Sequence, residues 1–266
     1  KSNKSKLTSK EIVSISGVSA AVIATAASNG LLNEELIPRD RPYPALNPEF
    51  KPKRLNPNQI SVCETIRDVQ KQNSFSAILL QGVTGSGKTE VYLEAVADAL
   101  RKGEQILVLL PEIALTSEFF DRVKKRFGEN PAEWHSGVTL AERRRVWKMV
   151  ASGGAKLVIG ARSALFLPFI NLGLVIVDEE HDHSYKQEDG VIYNARDMAV
   201  LRASIEKSTV ILASATPSLE SWVNAKNGKY KHVQIHERYG EATLPNLSAI
   251  DLRKENLKSD EWISNR

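Results

Sequence analysis

The chain has 266 residues, of which 36 are Lys or Arg and 32 are Asp or Glu, so its formal net charge is +4. This mild positive charge is compatible with nucleic-acid binding and equally with an ordinary soluble protein. The single cysteine, Cys63, excludes an intrachain disulfide framework and a cysteine-rich zinc site, and its apolar surroundings predict a core position. No apolar run approaches the roughly 18 residues of a membrane span, and no signal-peptide segment follows the basic N-terminus. The sequence therefore predicts a cytoplasmic protein with no membrane partner.

The first block with helical periodicity runs from residue 8 to residue 37. Thr8 and Glu11 have the spacing of a capping box, and apolar residues recur at helical spacing on both sides of Gly17. Two short helices around a glycine turn, followed by apolar residues that could begin a wing, predict a small winged-helix domain. The same pattern is typical of a helical hairpin that does not touch nucleic acid, so both interpretations stay open.

A proline-rich segment marks the end of this first block. Six prolines fall within residues 38–57, and so many prolines are incompatible with a helix or a central strand. We therefore assign residues 1–50 to the winged-helix domain with its proline-rich linker.

Strand-length apolar runs then alternate with helical stretches over residues 51–238. The predicted strands are residues 77–81, 105–110, 156–160, 174–177 and 210–213, and the predicted helices are residues 60–71, 89–101, 117–127 and 140–152. Continuous apolar strands between helices indicate an α/β fold with a mostly parallel sheet that is buried on both faces. The polar tail, residues 239–266, is expected to be a connector.

The most informative segment is a glycine-rich loop between a predicted strand and a predicted helix. Residues 82–89 fit the pattern G-x-x-x-x-G-K-[ST] in full. Glycines let the backbone curl so that its N–H groups point at phosphate oxygens, and the following helix N-terminus adds partial positive charge. Lys88 is expected to reach the β- and γ-phosphates of ATP, and the Thr89 hydroxyl to bind Mg²⁺. The predicted nucleotide-binding residues of this loop are Gly82, Val83, Thr84, Gly85, Ser86, Gly87, Lys88 and Thr89.

A second segment places carboxylates at the end of a buried strand. Residues 174–177 are apolar and are followed by Asp178 and Glu179. Because ligands of such sheets bind at the carboxyl ends of the strands, both side chains are expected near the glycine-rich loop. Asp178 is expected to hold Mg²⁺ through a water molecule, and Glu179 to orient and deprotonate the attacking water. Lys88, Asp178 and Glu179 are therefore the predicted catalytic residues.

At this point the sequence resembles a known family. Asp-Glu-Glu-His at residues 178–181 is similar to the DEAD/DExH box of superfamily 2 helicases, and further segments fit the family's motifs in order. These segments are residues 55–59, 111–116, 160–166 and 214–216. The combination closely resembles the PriA family of bacterial primosomal replication-restart helicases, over roughly residues 8–252.

The resemblance implies a fold and a function. It implies a RecA-like P-loop NTPase lobe over residues 51–238, preceded by a small winged-helix domain. The implied activity is that of an ATP-dependent 3′-to-5′ DNA helicase that acts in replication restart and primosome assembly at stalled forks. The implied cofactors are ATP and Mg²⁺. The implied partners are forked or single-stranded DNA, single-stranded DNA-binding protein and other primosome proteins, in the bacterial cytoplasm.

The resemblance also implies roles for single residues. Gln59 would read the edge of adenine, Arg162 would meet phosphates of the DNA strand, and His181 would connect nucleotide state to Thr216 by hydrogen bonding. The segment after the acidic box interleaves aromatic and basic residues, which suits stacking on bases or contact with phosphates. The resemblance implies that this segment couples DNA binding to ATP hydrolysis. Its predicted DNA-coupling residues are Tyr185, Lys186, Tyr193 and Arg196. An ordinary loop with two tyrosines remains the alternative.

Finally, the resemblance implies parts for which this sequence has no room. A superfamily 2 motor needs a second RecA-like lobe that supplies an arginine finger, and the family's zinc sites are expected outside this chain. Residues 239–266 would then lead toward that second lobe, and the isolated chain is expected to hydrolyse little ATP. Two alternative functions stay open. One is a winged-helix regulator with a nucleotide-sensing P-loop domain, and the other is an RNA helicase or another superfamily 2 translocase.

Overall fold

A computed structural model of the chain describes residues 7, 9–33, 42–72 and 74–238. The chain divides into two compact units, residues 1–41 and residues 42–266. Three predictions lie outside the described residues: the capping residue Thr8, the wing residues Leu36 and Ile37, and the connector at residues 239–266.

The first unit contains two helices, α1 (Ser9–Ser16) and α2 (Ala20–Ser28). Gly17 adopts a φ of 70° between them, which is the left-handed backbone that a glycine turn requires. Residues 31–33 form no strand, so the winged-helix interpretation stays a prediction. Among the described residues, no single helix is long and apolar enough to cross a membrane. Only α1 and α2 taken together, with a bend of 117° between them, reach that length and composition.

The second unit alternates helices and strands along the chain. Its helices are α3 (Pro57–Gln70), α4 (Lys88–Arg101), α5 (Ser117–Phe127), α6 (Leu140–Ala151), α7 (Ala195–Glu206) and α8 (Leu219–Lys226). Its strands are β1 (Ser76–Gly82), β2 (Gln105–Leu109), β3 (Ala132–Trp134), β4 (Leu157–Gly160), β5 (Leu172–Asp178), β6 (Lys186–Gln187), β7 (Tyr193–Asn194), β8 (Thr209–Ser214) and β9 (Lys231–Ile235). Short 3₁₀ helices cover Glu112–Ala114, Arg162–Phe166 and His183–Tyr185.

Seven of the described strands form one parallel sheet in the order β3-β4-β2-β5-β8-β1-β9. Every residue of β2 and β8 is buried, as continuous apolar strands in a parallel sheet predict. One face packs against α3, α4 and α5, and the other packs against α6 and α7. Cys63 of α3 lies in the first of these cores, as predicted. This arrangement confirms the α/β fold with a parallel sheet.

The sheet is wider than the five strands that the apolar runs predict. The two unexpected strands, β3 and β9, lie at its two edges. β3 has only three residues, and β9 alternates exposed and buried positions, so neither shows a continuous apolar run. The helices α7 and α8 were also missed, because the buried face of α7 is formed by three alanines and an arginine, and α8 has only eight residues.

Candidate active site

The glycine-rich loop connects β1 to α4 at the carboxyl edge of the sheet. Gly85 and Gly87 have φ values of 80° and 83°, so both positions need the backbone freedom of glycine. A side chain at Gly87 would collide with the amide of Gln59, and one at Gly82 would lie 2.5 Å from the Ser86 hydroxyl. The Ser86 hydroxyl is buried and has no hydrogen-bond partner. The loop therefore forms a tight cradle with an unused polar group, which fits a phosphate ligand.

Lys88 and Thr89 are the first two residues of α4, where the helix N-terminus attracts anions. The Lys88 side chain is buried, and its Nζ donates to the carbonyl oxygen of Gly82 at 2.9 Å. A cavity of about 300 Å³ opens over this point. It brings together the predicted residues Gln59, Thr84, Gly85, Gly87, Lys88, Thr89, Asp178 and Glu179. The predicted phosphate-binding residues and the acidic residues thus share one cavity.

Asp178 is the last residue of β5 and lies opposite the loop. Its Oδ2 accepts a hydrogen bond from the Tyr92 hydroxyl at 2.9 Å, and its Oδ1 accepts from the backbone N–H of Glu179 at 3.1 Å. Burial raises the pKa of Asp178 to about 6, because the low-dielectric surroundings disfavour the carboxylate. A cation beside this group would favour its charged form.

Glu179 has an unusual backbone. Its φ of 46° is in the left-handed region that side-chain-bearing residues rarely adopt, at a cost on the order of 1 kcal/mol. The turn leaves the half-exposed Glu179 side chain on the cavity wall, beside Asp178. This is the position that a water-activating carboxylate needs.

Gln59 has a task that the sequence did not suggest. It is fully buried, and its Oε1 accepts from the backbone N–H of Asn56 at 2.9 Å, which completes a capping box at the start of α3. Its Nε2 donates to the carbonyl oxygen of Ser86 at 2.8 Å, so Gln59 supports the glycine-rich loop from behind. A contact with adenine stays a prediction.

Three cations near the cavity were missed by sequence reasoning. Lys53, Arg54 and Arg122 all line it. Oε1 of Glu90 accepts from Lys53 at 2.7 Å and from Nε of Arg122 at 2.8 Å, which links the first turn of α4 to α5. Lys53 lies in the proline-rich segment and Arg122 in a helix outside any motif, so no sequence signal pointed to them.

His181 and Thr216 are connected through a third residue rather than directly. The Nδ1 of His181 lies 2.8 Å from the Ser214 hydroxyl, and that hydroxyl accepts from the backbone N–H of Thr216 at 3.0 Å. Ser214 ends β8, the strand that pairs with β5 beside Asp178. The acidic segment and the segment after β8 are therefore joined by hydrogen bonds, with Ser214 as the intermediate.

Glu180 makes a second connection that was not predicted. It is only 1% exposed, and its carboxylate accepts from the Ser218 backbone N–H, the Ser218 hydroxyl and the Ser221 hydroxyl at 2.7, 2.9 and 2.7 Å. Nη1 of Arg196 lies 3.6 Å from the same carboxylate. The partners are distant in sequence, so no local spacing could reveal this cluster.

This cluster argues against a direct DNA contact by Arg196, whose part in coupling stays a prediction. Only 7% of Arg196 is exposed, because it lies at the start of α7 between Glu180, Asp197 and Glu220. A buried and paired guanidinium does not present itself to a DNA phosphate. Arg196 instead holds α7 to the acidic segment.

The stacking expected of Tyr185 is corrected in the same way. Tyr185 is 1% exposed, and its hydroxyl lies 2.6 Å from the carbonyl oxygen of Asp178 and 3.0 Å from that of Leu109. Its single proton serves one carbonyl at a time. Tyr185 therefore anchors the segment to β2 and β5 and cannot stack on a base.

The rest of the segment is more open. Lys186 is exposed and pairs with Glu188, whereas Tyr193 is half-buried with its ring against Phe166 at 5.3 Å. Nη1 of the half-buried Arg162 donates to the carbonyl oxygens of Ser184 and Lys186 at 3.1 and 2.7 Å. Arg162 thus ties the segment after β4 to the segment after β5.

The residues present also suit the expected cation. Among the described residues, no group of three or more His, Cys, Asp or Glu side chains is arranged to hold a metal ion. Mg²⁺ in phosphate-transfer sites uses one or two protein ligands and takes the rest from phosphates and water. Thr89 and Asp178 on the shared cavity match that pattern.

A family model decides the assignment: residues 56–224 match the DEAD/DEAH box helicases. The chain belongs to this helicase family. The match begins at the N-cap of α3 and ends within α8, so this helicase region includes the glycine-rich loop, the acidic box and the segment after β8.

Individual relatives agree with this helicase assignment. The chain is 46% identical to a replication restart protein PriA of Rickettsia felis over 221 residues, which is 81% of this chain and 34% of that protein. It is 39% identical to the replication restart protein PriA of Bacillus subtilis, over 94% of this chain and 31% of that protein. These relatives confirm the resemblance to the PriA family. The chain spans about a third of their length.

Solved helicase structures share the fold. The structure of RecG bound to a three-way DNA junction superposes with a TM-score of 0.55 at 25% identity, over 72% of this chain and 25% of that one. The helicase MrfA bound to DNA superposes with a TM-score of 0.51 at 20% identity, over 75% of this chain and 29% of that one. The RecG structure supports the assignment of the second unit as a helicase lobe, and the MrfA structure shows that the fold is shared.

Proposed function

We propose that this chain is the ATP-binding lobe of an ATP-dependent DNA helicase that acts in replication restart. One observation carries the proposal: a single cavity holds the phosphate cradle, the buried Lys88 and the paired carboxylates Asp178 and Glu179. A degenerate nucleotide sensor has no need for a carboxylate in a costly backbone conformation at the end of β5. The intact acidic pair therefore favours hydrolysis over sensing.

Each residue has a task that follows from its position. Lys88 at the start of α4 binds the β- and γ-phosphates, together with the inward N–H groups of the glycine cradle. Thr89 and Asp178 are the residues that hold Mg²⁺, which neutralises charge on the phosphates when it is bound. Glu179 orients the attacking water and takes up its proton.

The DNA-facing role rests on the segments around this cavity. Arg162, Lys186 and Tyr193 leave polar or aromatic surface near the carboxyl edge of the sheet. The bonds from His181 through Ser214 to Thr216 join the acidic segment to the segment after β8. The PriA relatives and the RecG structure with a three-way junction support branched DNA as the substrate. We infer translocation in the 3′-to-5′ direction, with other primosome proteins and single-stranded DNA-binding protein as partners in the bacterial cytoplasm.

The nucleotide site is tested by calorimetry of Mg²⁺–nucleotide binding to the Lys88→Ala variant. Removing a charge-assisted contact is expected to weaken affinity by at least about tenfold. Lys156→Ala is the matched control, because Nζ of Lys156 also donates to a glycine carbonyl, that of Gly103, at 2.9 Å. Lys156 directly precedes β4, so it lies at the amino ends of the strands, opposite the carboxyl ends that carry the cavity. Equal affinities of the two variants would remove Lys88 from the site.

The helicase activity is tested on a full-length protein that contains this lobe. ATPase stimulation is compared among forked DNA, single-stranded DNA and RNA, and unwinding is compared between duplexes with a 3′ or a 5′ single-stranded tail. The proposal expects the strongest stimulation by forked DNA and unwinding of the duplex entered along a 3′ tail. Nucleotide binding without hydrolysis on any nucleic acid would favour the regulator, and stimulation by RNA alone would favour an RNA translocase.

A further inference from the structure

One buried phenol touches a residue that is expected to hold the metal ion. The Tyr92 hydroxyl donates to Oδ2 of Asp178 at 2.9 Å. Burial raises the pKa of this phenol well above its ordinary value, so the hydroxyl keeps its proton for this bond. Tyr92 lies three residues after Thr89 in α4, so the same helix carries the other residue that is expected to hold the metal ion.

The hydroxyl of Tyr92 is not explained by packing. Tyr92 is fully buried among apolar neighbours on α4, including Val91, Leu93 and Val96. Phe has the same ring and would fill the same space without a polar group to satisfy, because a buried hydroxyl is costly unless it is bonded. The carboxylate of Asp178 is the acceptor that makes the hydroxyl tolerable here.

We propose that Tyr92 is a positioning residue that holds the Asp178 carboxylate in one arrangement for the metal ion, and this inference rests on the proposed function. The phenol's proton goes to Oδ2 of Asp178, so the hydroxyl fixes one of the two carboxylate oxygens.

Asp178 keeps room for the cation in this arrangement. Each of its carboxylate oxygens accepts a hydrogen bond: Oδ2 from the Tyr92 hydroxyl and Oδ1 from the Glu179 backbone N–H. A carboxylate offers about four acceptor sites, so sites remain on both oxygens for a metal-bound water. Two donors on two different oxygens fix the plane of the carboxylate, as outer-shell partners do for metal ligands elsewhere.

The chain supplies a matched control for the loss of this hydroxyl. Tyr43 also donates a hydrogen bond to a carboxylate, Oε1 of Glu142 at 2.6 Å, but it packs in the core on the α6 side of the sheet. Tyr43→Phe and Tyr92→Phe therefore remove the same group and the same kind of bond. Both variants keep the aromatic ring that fills the core.

The experiment measures ADP affinity of the full chain by calorimetry across a Mg²⁺ titration, with Mn²⁺ electron paramagnetic resonance of the ADP complex as a second readout. Tyr92→Phe is expected to raise the Mg²⁺ concentration needed for half of the affinity gain by about tenfold, and to change the Mn²⁺ spectrum. Its affinity for ADP without metal should match that of the unmodified chain. Tyr43→Phe should resemble the unmodified chain in every measurement.

The variants Thr89→Ala and Asp178→Ala separate the two levels of the argument. If both weaken the Mg²⁺ dependence while Tyr92→Phe leaves it and the Mn²⁺ spectrum unchanged, the positioning role is wrong and the proposed site stands. If neither Thr89→Ala nor Asp178→Ala affects the Mg²⁺ dependence, the proposed site is wrong, and the role of Tyr92 falls with it.

Discussion

The glycine-rich loop and the segment after the acidic box, residues 184–196, lie at the same edge of the sheet but are built in different ways. The loop works through its backbone, with glycines that leave room and N–H groups that point inward. The segment is held through side chains, because Tyr185 and Arg196 are buried at its two ends and Arg162 binds its carbonyls. Only the middle of the segment, with Val191 81% and Ile192 72% exposed, faces solvent.

The two regions therefore differ in what holds their shape. The shape of the loop depends on glycine backbone conformations, whereas that of the segment depends on side-chain bonds to other parts of the fold. Tyr185 bonds one end of the segment to the backbone of Asp178, and Arg196 pairs the other end with Glu180. We therefore expect a displacement of the exposed middle to reach the acidic box. Substitutions in the two regions should therefore affect stability to different degrees.

Replacing Tyr185 with Ala should destabilise the fold rather than only uncouple DNA from hydrolysis. Removing a fully buried aromatic side chain costs about 3–5 kcal/mol in the free energy of unfolding, whereas Tyr185→Phe should cost about 1 kcal/mol for one hydrogen bond. Urea unfolding measures both. The opposite outcome is a Tyr185→Ala variant that has normal stability but has lost DNA-stimulated ATPase activity. That outcome would support the prediction from the sequence that Tyr185 contacts DNA.

Replacing Glu180 with Ala should also destabilise the protein. The change leaves Ser218, Ser221 and Arg196 without their shared acceptor, and breaking a buried ionic cluster costs about 3 kcal/mol. Glu188→Ala is the control, because Glu188 lies in the exposed middle of the segment and a surface change alters stability by within about 0.5 kcal/mol. Similar unfolding curves for the two variants would show that the Glu180 cluster does not hold the segment.

Replacing Asp178 with Asn should change how stability depends on pH. The pKa of Asp178 is raised by burial from 3.8 to about 6, so between these values the unfolded chain has released a proton that the folded chain retains. Stability therefore falls as pH rises through this window, and Asn removes that loss. In metal-free buffer, the two proteins should differ least near pH 4, and Asp178→Asn should gain relative stability up to pH 6. Parallel pH profiles would contradict the raised pKa.

Replacing Lys186 with Ala should give the smallest effect. Lys186 is exposed, and its pair with Glu188 is an ordinary surface ion pair, so stability should be unchanged. If Lys186 meets a DNA phosphate, the salt dependence of DNA binding should lose about one unit of slope. Lys156→Ala, at the opposite edge of the sheet, should leave the slope intact. A slope unchanged by Lys186→Ala would remove this residue from the DNA contact.

These two regions also differ in what the sequence could predict. The glycine-rich loop is readable because eight consecutive residues carry its geometry, and the strand before it and helix after it appear where expected. Tyr185 looked exposed because it sits among charged residues, yet its burial depends on Leu109, 76 positions earlier in the chain. No local pattern encodes a partner at that distance.

The edges of the fold show the same limit. β2 and β8 were predicted because central parallel strands are apolar on both faces, but β3 and β9 border the sheet and lack that pattern. In the sequence, Ser214 is recognisable only as part of the motif at residues 214–216. In the structure, its hydroxyl links His181 to Thr216. Motifs made of consecutive residues could be predicted from the sequence, whereas contacts between residues that are distant in the chain could not.

The order of the strands has a consequence for how the lobe is synthesised. β1 leads into the glycine-rich loop, but its neighbours in the sheet are β8 and β9, and Gly82 pairs with Ile235. A nascent chain that has emerged as far as α7 carries every residue of the loop and the acidic box, yet β1 has neither neighbour. At about 5–20 residues per second, the wait between residue 89 and the end of β8 at residue 214 is roughly 6–25 s. Because β8 lies between β1 and β5 in the sheet, the glycine-rich loop and the acidic box reach their common edge only after β8 has been synthesised.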